Sequence, residues 1–194
     1  LIIQLLCTSS FALVIGSDQE EIYIDANFSG ESLLVFGAFY SDPSQSRDSK
    51  SDILIEVVGP VEDVALRKKE SYFGFWLNSK SILFNDIPGF YYLSSTSEIS
   101  NEFLNENQIG LLNYKRSGMD NNSLIESNLS GVKSIAEQKE FYNALVRTKT
   151  SENLYKQVFD EIEIIDGNLF RSYIDIPNTV PVGEYNVNLY LIID

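Results

Sequence analysis

The 194-residue sequence has no histidine, one cysteine, one methionine and one tryptophan, and its 14 Lys and Arg are set against 28 Asp and Glu, for a formal net charge of −14. Each scarcity excludes something. Without histidine there is no Ser-His-Asp or Cys-His set, no imidazole base and no histidine-ligated metal. The lone Cys7 can close no disulfide within the chain. The acidic balance argues against nucleic acid, whose phosphates take Lys and Arg contacts, and against anionic lipid surfaces. Gly-rich phosphate loops, dinucleotide fingerprints and the Gly-x-Ser-x-Gly elbow are all missing. The carboxylates single out no pair for glycoside hydrolysis. The crowd Asp160, Glu161, Glu163 and Asp166 does not have EF-hand spacing, and the two Glu read as the wet face of a strand. The expectation is therefore no catalytic residue, no metal and no cofactor, in a protein that is not an enzyme.

The first 16 residues carry no charge and are too few for a spanning helix, which needs about 20. They fit the apolar core of a secretory signal, with Ser10-Phe11-Ala12 as the small-x-small cleavage site. Residues 1–12 are assigned to a truncated signal peptide and 13–194 to the exported domain. A lipoprotein site at Cys7 is the alternative, disfavoured by the bulk of Leu6 before it.

What is present is β-pattern. Glu20–Phe28 alternates and predicts a half-exposed strand, while Ser32–Tyr40 is apolar on both faces and predicts a central one. Ser41–Ser51 is a polar loop expected to be mobile. Asp52–Val58 and Asp63–Lys69 are strands joined by Gly59-Pro60. At Ser97 the period changes. Glu98–Gln108, with a serine cap available, and Ser134–Glu152 predict helices around a polar loop over Arg116–Ser134. Strands resume at Asp160–Ile165, turn at Asp166-Gly167, return as Leu169–Ile176 and finish as Tyr185–Ile193. The fold class is mainly β: an immunoglobulin-like β-sandwich of about nine strands with a two-helix insertion at about 98–155.

The densest aromatic run is Lys68–Ser95, which holds the only tryptophan, Trp76. Tyr72–Leu77 and Ser81–Phe84 read as two short strands about a polar tetrapeptide, Asn78–Ser81. Period two places Phe73, Phe75 and Leu77 on one face and Tyr72, Gly74 and Trp76 on the other. Pro88-Gly89 predicts a type II turn into a strand at Phe90–Leu93. Trp76, Phe90 and Tyr91 read first as core, with an aromatic surface for a ligand or partner as the alternative.

These same residues carry a family resemblance. Leu66–Glu70, Gly74-x-Trp76-Leu77-Asn78, Ile82-x-Phe84 and Ile87–Tyr91 resemble the family called putative transmembrane protein of the alphaproteobacteria. The likeness extends to Leu33–Ala38, Val58-Gly59-Pro60, Ile109-Gly110-Leu111, Phe141 with Ala144–Arg147 and Lys149, Asn168–Arg171, and Pro181-x-Gly183-x-Tyr185. It covers nearly the whole chain in order. It implies a secreted β-rich ectodomain in the periplasm, held to the inner membrane by a C-terminal anchor not present in this chain, with a sulfite-exporter-type permease as the partner. It carries over no catalytic residues.

The functional expectation is a membrane-tethered periplasmic domain that acts by protein interaction, accessory to such a permease. The alternative is a periplasmic small-anion-binding module built from the scarce cations and the tryptophan: Arg67, Lys68, Trp76, Arg147 and Lys149. Against that alternative, the same cations also suit a strand-end cluster and a helix C-terminus.

Overall fold

The computed structural model describes residues 13–39, 51–111 and 134–193. The polar loop expected at Ser41–Ser51 lies almost wholly outside them, as do the Arg116–Ser134 loop and the signal segment 1–12. Ten strands and two helices are present among the described residues: β1 (Leu13–Ser17), β2 (Glu31–Phe39), β3 (Ser51–Val58), β4 (Val61–Tyr72), β5 (Phe75–Pro88), β6 (Tyr91–Ser95), α1 (Asn101–Glu106), α2 (Ile135–Ser151), β7 (Tyr155–Phe159), β8 (Glu163–Ile165), β9 (Leu169–Ile176) and β10 (Asn186–Ile193).

They form two four-stranded sheets, β1-β2-β9-β8 and β10-β3-β6-β7, and a separate two-stranded hairpin, β4-β5. All pairings are antiparallel except β6 with β7. A parallel neighbour requires a long crossover, and the helical segment after β6 supplies it. The helices expected as an insertion are thus the connection between two adjacent strands. β7 escaped the sequence reading, although Asn153, with a φ of 58°, ends the helix just before it.

The β2–β9 pair shows how the pattern becomes a layer. Along β9, Phe170, Ser172, Ile174 and Ile176 are buried and alternate with exposed neighbours. Register places Leu33, Val35 and Gly37 of β2 opposite Ile174, Ser172 and Phe170. Gly37 is obligatory there, because a Cβ would stand 2.5 Å from the Phe170 ring. In the other sheet β3 is buried on both faces, as a continuous apolar run implies. Ile53, Ile55 and Val57 share one face with Tyr92 and Ser94; Leu54, Glu56 and Val58 share the other with Tyr91, Leu93 and Ser95. Burial raises the pKa of the Tyr92 phenol, against a smaller downward pull from Ser94 and from Ser172 of β9. None of those three hydroxyls makes a hydrogen bond of good geometry among the described residues.

Four expectations are corrected. Residues 20–28 form no strand: Asp18 Oδ1 accepts the Leu34 amide and Asp25 Oδ1 the Asn27 amide, so side chains take over backbone partners. The two short strands around Asn78–Ser81 are one long strand, β5, and the turn falls earlier, at Phe73-Gly74. Gly89 does not have the positive φ of a type II turn. It is glycine because a Cβ would stand 2.6 Å from Pro181 Cγ. Its amide donates to Pro60 O at 2.8 Å, while the Gly59 amide donates to Phe90 O at 2.9 Å, so the two connections lock each other. Finally, only Glu163–Ile165 of the 160–165 segment is strand, and Ile162 is buried where Ile164 is exposed. Asp166-Gly167 does turn the hairpin, with φ of 51° and 79°.

Candidate functional site

The cations of the sequence reading lie along the β4-β5 hairpin and α2. Lys68 Nζ donates to Glu140 Oε1 at 3.0 Å and stands 4.0 Å from Glu70. Lys80 pairs with Glu137, and Lys149 with Glu62. Phe84 and Tyr142 meet edge to face at 6.3 Å. Together these contacts lay α2 along one face of the hairpin, its C-terminal end at the base of β4 and its N-terminal end pointing toward the tip. Ser134 caps that N-terminus by accepting the Glu137 amide. The raised pKa of Lys80 follows first from its hydrogen bond with Glu137 and then from that charge.

The five residues proposed for an anion do not converge. Lys68 and Arg67 are neighbours on β4 and so face opposite ways. Lys68 and Lys149 are each taken by a carboxylate. Arg147 lines an open depression of about 320 Å³ with Leu111, Tyr142, Asn143 and Val146. Trp76 is elsewhere, at the hairpin tip.

That tip is the surprise. Beyond the last contact with α2, the hairpin carries Tyr72, Phe73, Phe75, Trp76 and Leu77, all exposed, with Trp76 71% and Phe73 102% accessible. The core reading of Trp76 is thereby corrected, whereas Phe90 and Tyr91 are buried as expected. The turn explains the shift of face. Phe73 and Gly74 both have positive φ, 50° and 85°, so they occupy the two central positions of a type I′ turn. Tyr72 then pairs with Phe75, and Ser71 with Trp76. Arg67, Lys69, Ser71 and Trp76 share the face turned away from α2. No carboxylate lies within ion-pair distance of Arg67 or Lys69 among the described residues.

A second apolar surface is the outer face of the β1-β2-β9-β8 sheet. Register brings Val14, Phe36, Leu169 and Tyr173 to that face, all exposed. The Phe36 ring covers Gly16, where a Cβ would stand 3.2 Å from it. Arg171, opposite Phe36 and between Leu169 and Tyr173, lies on the same face and pairs with Glu163 at 2.7 Å; that hydrogen bond raises its pKa.

One polar centre was missed by the sequence reading. Glu56 is 4% exposed on β3. Its Oε1 accepts from Tyr91 OH at 2.9 Å and the Gly110 amide at 3.3 Å. Its Oε2 accepts from Tyr190 OH at 3.1 Å and Asn188 Nδ2 at 3.3 Å. The signal was available: a single acid inside Ile53–Val58, an otherwise apolar run. Its four donors come from β6, β10 and the exit of α1, so the arrangement ties elements together and presents no open position to a substrate. Among the described residues no group of three metal-ligating side chains occurs, and no helix is long and apolar enough to cross a membrane.

A family model described as Putative transmembrane protein (Alph_Pro_TM) matches residues 12–194. No curated protein and no solved structure matches the chain.

Proposed function

Since this chain belongs to the family described as Putative transmembrane protein (Alph_Pro_TM), we propose that it is the β-rich part of a membrane-tethered protein that works by protein interaction and not by catalysis. In this reading its two four-stranded sheets close as an immunoglobulin-like sandwich. The domain stands on the periplasmic side of the inner membrane, beside a permease of the sulfite-exporter type. The observation that supports it is the exposed outer face of the β1-β2-β9-β8 sheet. Val14, Phe36, Leu169 and Tyr173 expose apolar side chains on it around the Arg171–Glu163 ion pair, a mix of large apolar residues and arginine that suits a protein interface. A photo-activatable residue at position 173 in the membrane-borne protein tests it. The expected product is an adduct with an integral membrane permease, abolished by Val14→Lys with Phe36→Lys. Adducts that survive those changes, or that join only copies of the chain, refute the reading.

Arg147, without an ion-pair partner among the described residues and at the rim of a depression, supports the second reading, a small-anion module. Sulfite, sulfate or taurine would then raise the melting temperature, and Arg147→Ala would remove the rise. That pair of results displaces the interaction reading.

A further inference from the structure

We propose that the tip of the β4-β5 hairpin is a lipid-contact element, which docks at the headgroup level of a phospholipid bilayer. Three independent features converge on it. The first is the apolar content. Tyr72, Phe73, Phe75, Trp76 and Leu77 are all exposed, at the end of an arm whose last tie to α2 is at Lys68 and Lys80. From Lys68 to Phe73 the strand extends ~17 Å. Aromatic residues, and tryptophan above all, favour the boundary between water and acyl chains.

The second is backbone strain. Position 73 has a φ of 50°, which suits Asn, Asp or Gly and disfavours a bulky ring. Phenylalanine there gains no packing, being wholly exposed. A residue that costs stability and is buried by nothing among the described residues points to a use outside the chain.

The third is charge. In a chain of net −14, residues 67–80 carry four Lys and Arg against one Glu. Arg67 and Lys69 are exposed, have no ion-pair partner among the described residues, and share a face with Trp76. With the rings at the acyl boundary, these cations reach the phosphate layer. The chain as a whole is repelled by strongly anionic surfaces, so the fitting partner is a zwitterionic bilayer with a minor anionic component. This inference rests on the membrane-tethered reading only in taking a bilayer to be within reach.

Trp76 is the sole tryptophan, so its fluorescence reports the tip and nothing else. Phosphatidylcholine vesicles containing a minor share of phosphatidylglycerol should shift its emission to the blue, and brominated lipids should quench it. Phe73→Ser should weaken vesicle binding roughly tenfold. Arg67→Glu with Lys69→Glu should abolish the preference for the anionic lipid. All three positions are exposed, so unchanged melting curves verify that the variants fold. An emission unmoved by vesicles overturns the proposal, as does wild-type binding by Phe73→Ser. A shift seen only with solubilised membrane protein also overturns it and assigns the tip to a protein partner. Because the vesicles contain no protein, this test fails separately from cross-linking at position 173.

Discussion

Phe73 and Glu56 are two residues whose surroundings contradict their chemistry. At Phe73 the left-handed backbone, with a φ of 50°, costs about 1 kcal/mol relative to a residue suited to it. Phe73→Asn should therefore raise the free energy of unfolding by about 1 kcal/mol while it weakens vesicle binding as Phe73→Ser does. Urea unfolding measures the first effect, and a stability at or below wild type would refute the strain argument. At Glu56 the cost runs the other way. A buried carboxylate with four donors is stable only with all of them in place, and truncation takes one shared acceptor from all four. Glu56→Ala should lose about 3 kcal/mol, read from the same denaturant curves. A loss under about 1 kcal/mol would mean that the donors find other partners.

Among elements, α2 shows which forces hold the helical crossover to the β-structure. Its ion pairs toward the hairpin tip, Lys68–Glu140 and Lys80–Glu137, are part-exposed, whereas Phe141, Tyr142 and Leu145 are buried. Exposed pairs contribute little and buried apolar side chains much. Leu145→Ala should cost about 3 kcal/mol, and Glu140→Gln less than about 1 kcal/mol. Equal losses in the two unfolding curves would overturn this ranking. The hairpin is the opposite kind of element. Past Lys68 its strands pair only with each other among the described residues, so amide exchange should be faster at Ser71 and Leu77 than at Ile82 and Phe84.

Over the whole molecule, buried and half-buried tyrosines couple folding to alkaline pH. Burial pushes Tyr142 and Tyr185 up to about 12 from the ordinary 10.0. Tyr155 is raised too, first by burial and then by Tyr142 and Glu62. The folded state therefore holds these protons after the unfolded chain has lost them. Their contribution is whole below pH 10, where both states are protonated, and declines between pH 10.0 and about 12. For Tyr142 the slope is about 1.4 kcal/mol per pH unit. Denaturation midpoints should fall steeply above pH 10, and Tyr142→Phe should make the fall shallower. Midpoints flat to pH 11.5 would contradict the burial of these phenols.

Elements whose code is local could be read along the chain. Asp166-Gly167 was legible from its turn chemistry, β9 in its bounds as the strand returning from that turn, and α2 from its period, because each depends on neighbours a few positions away. The family too was legible, in motifs spread along the whole chain. Only the tertiary structure decided which apolar residues are inside. Trp76 and Tyr92 are both aromatic residues in strands, yet one is 71% exposed and the other 1%. The difference lies in where the hairpin turns and how far α2 reaches along it. The same holds for β7, whose parallel pairing with β6 depends on a crossover of some sixty residues, and for Glu56, whose donors come from as far as position 190. It holds as well for the scattered cations, which adjacency in sequence grouped and strand alternation separated. Burial, pairing and charge neutralisation are set by contacts between residues distant in the chain, and no local pattern encodes them.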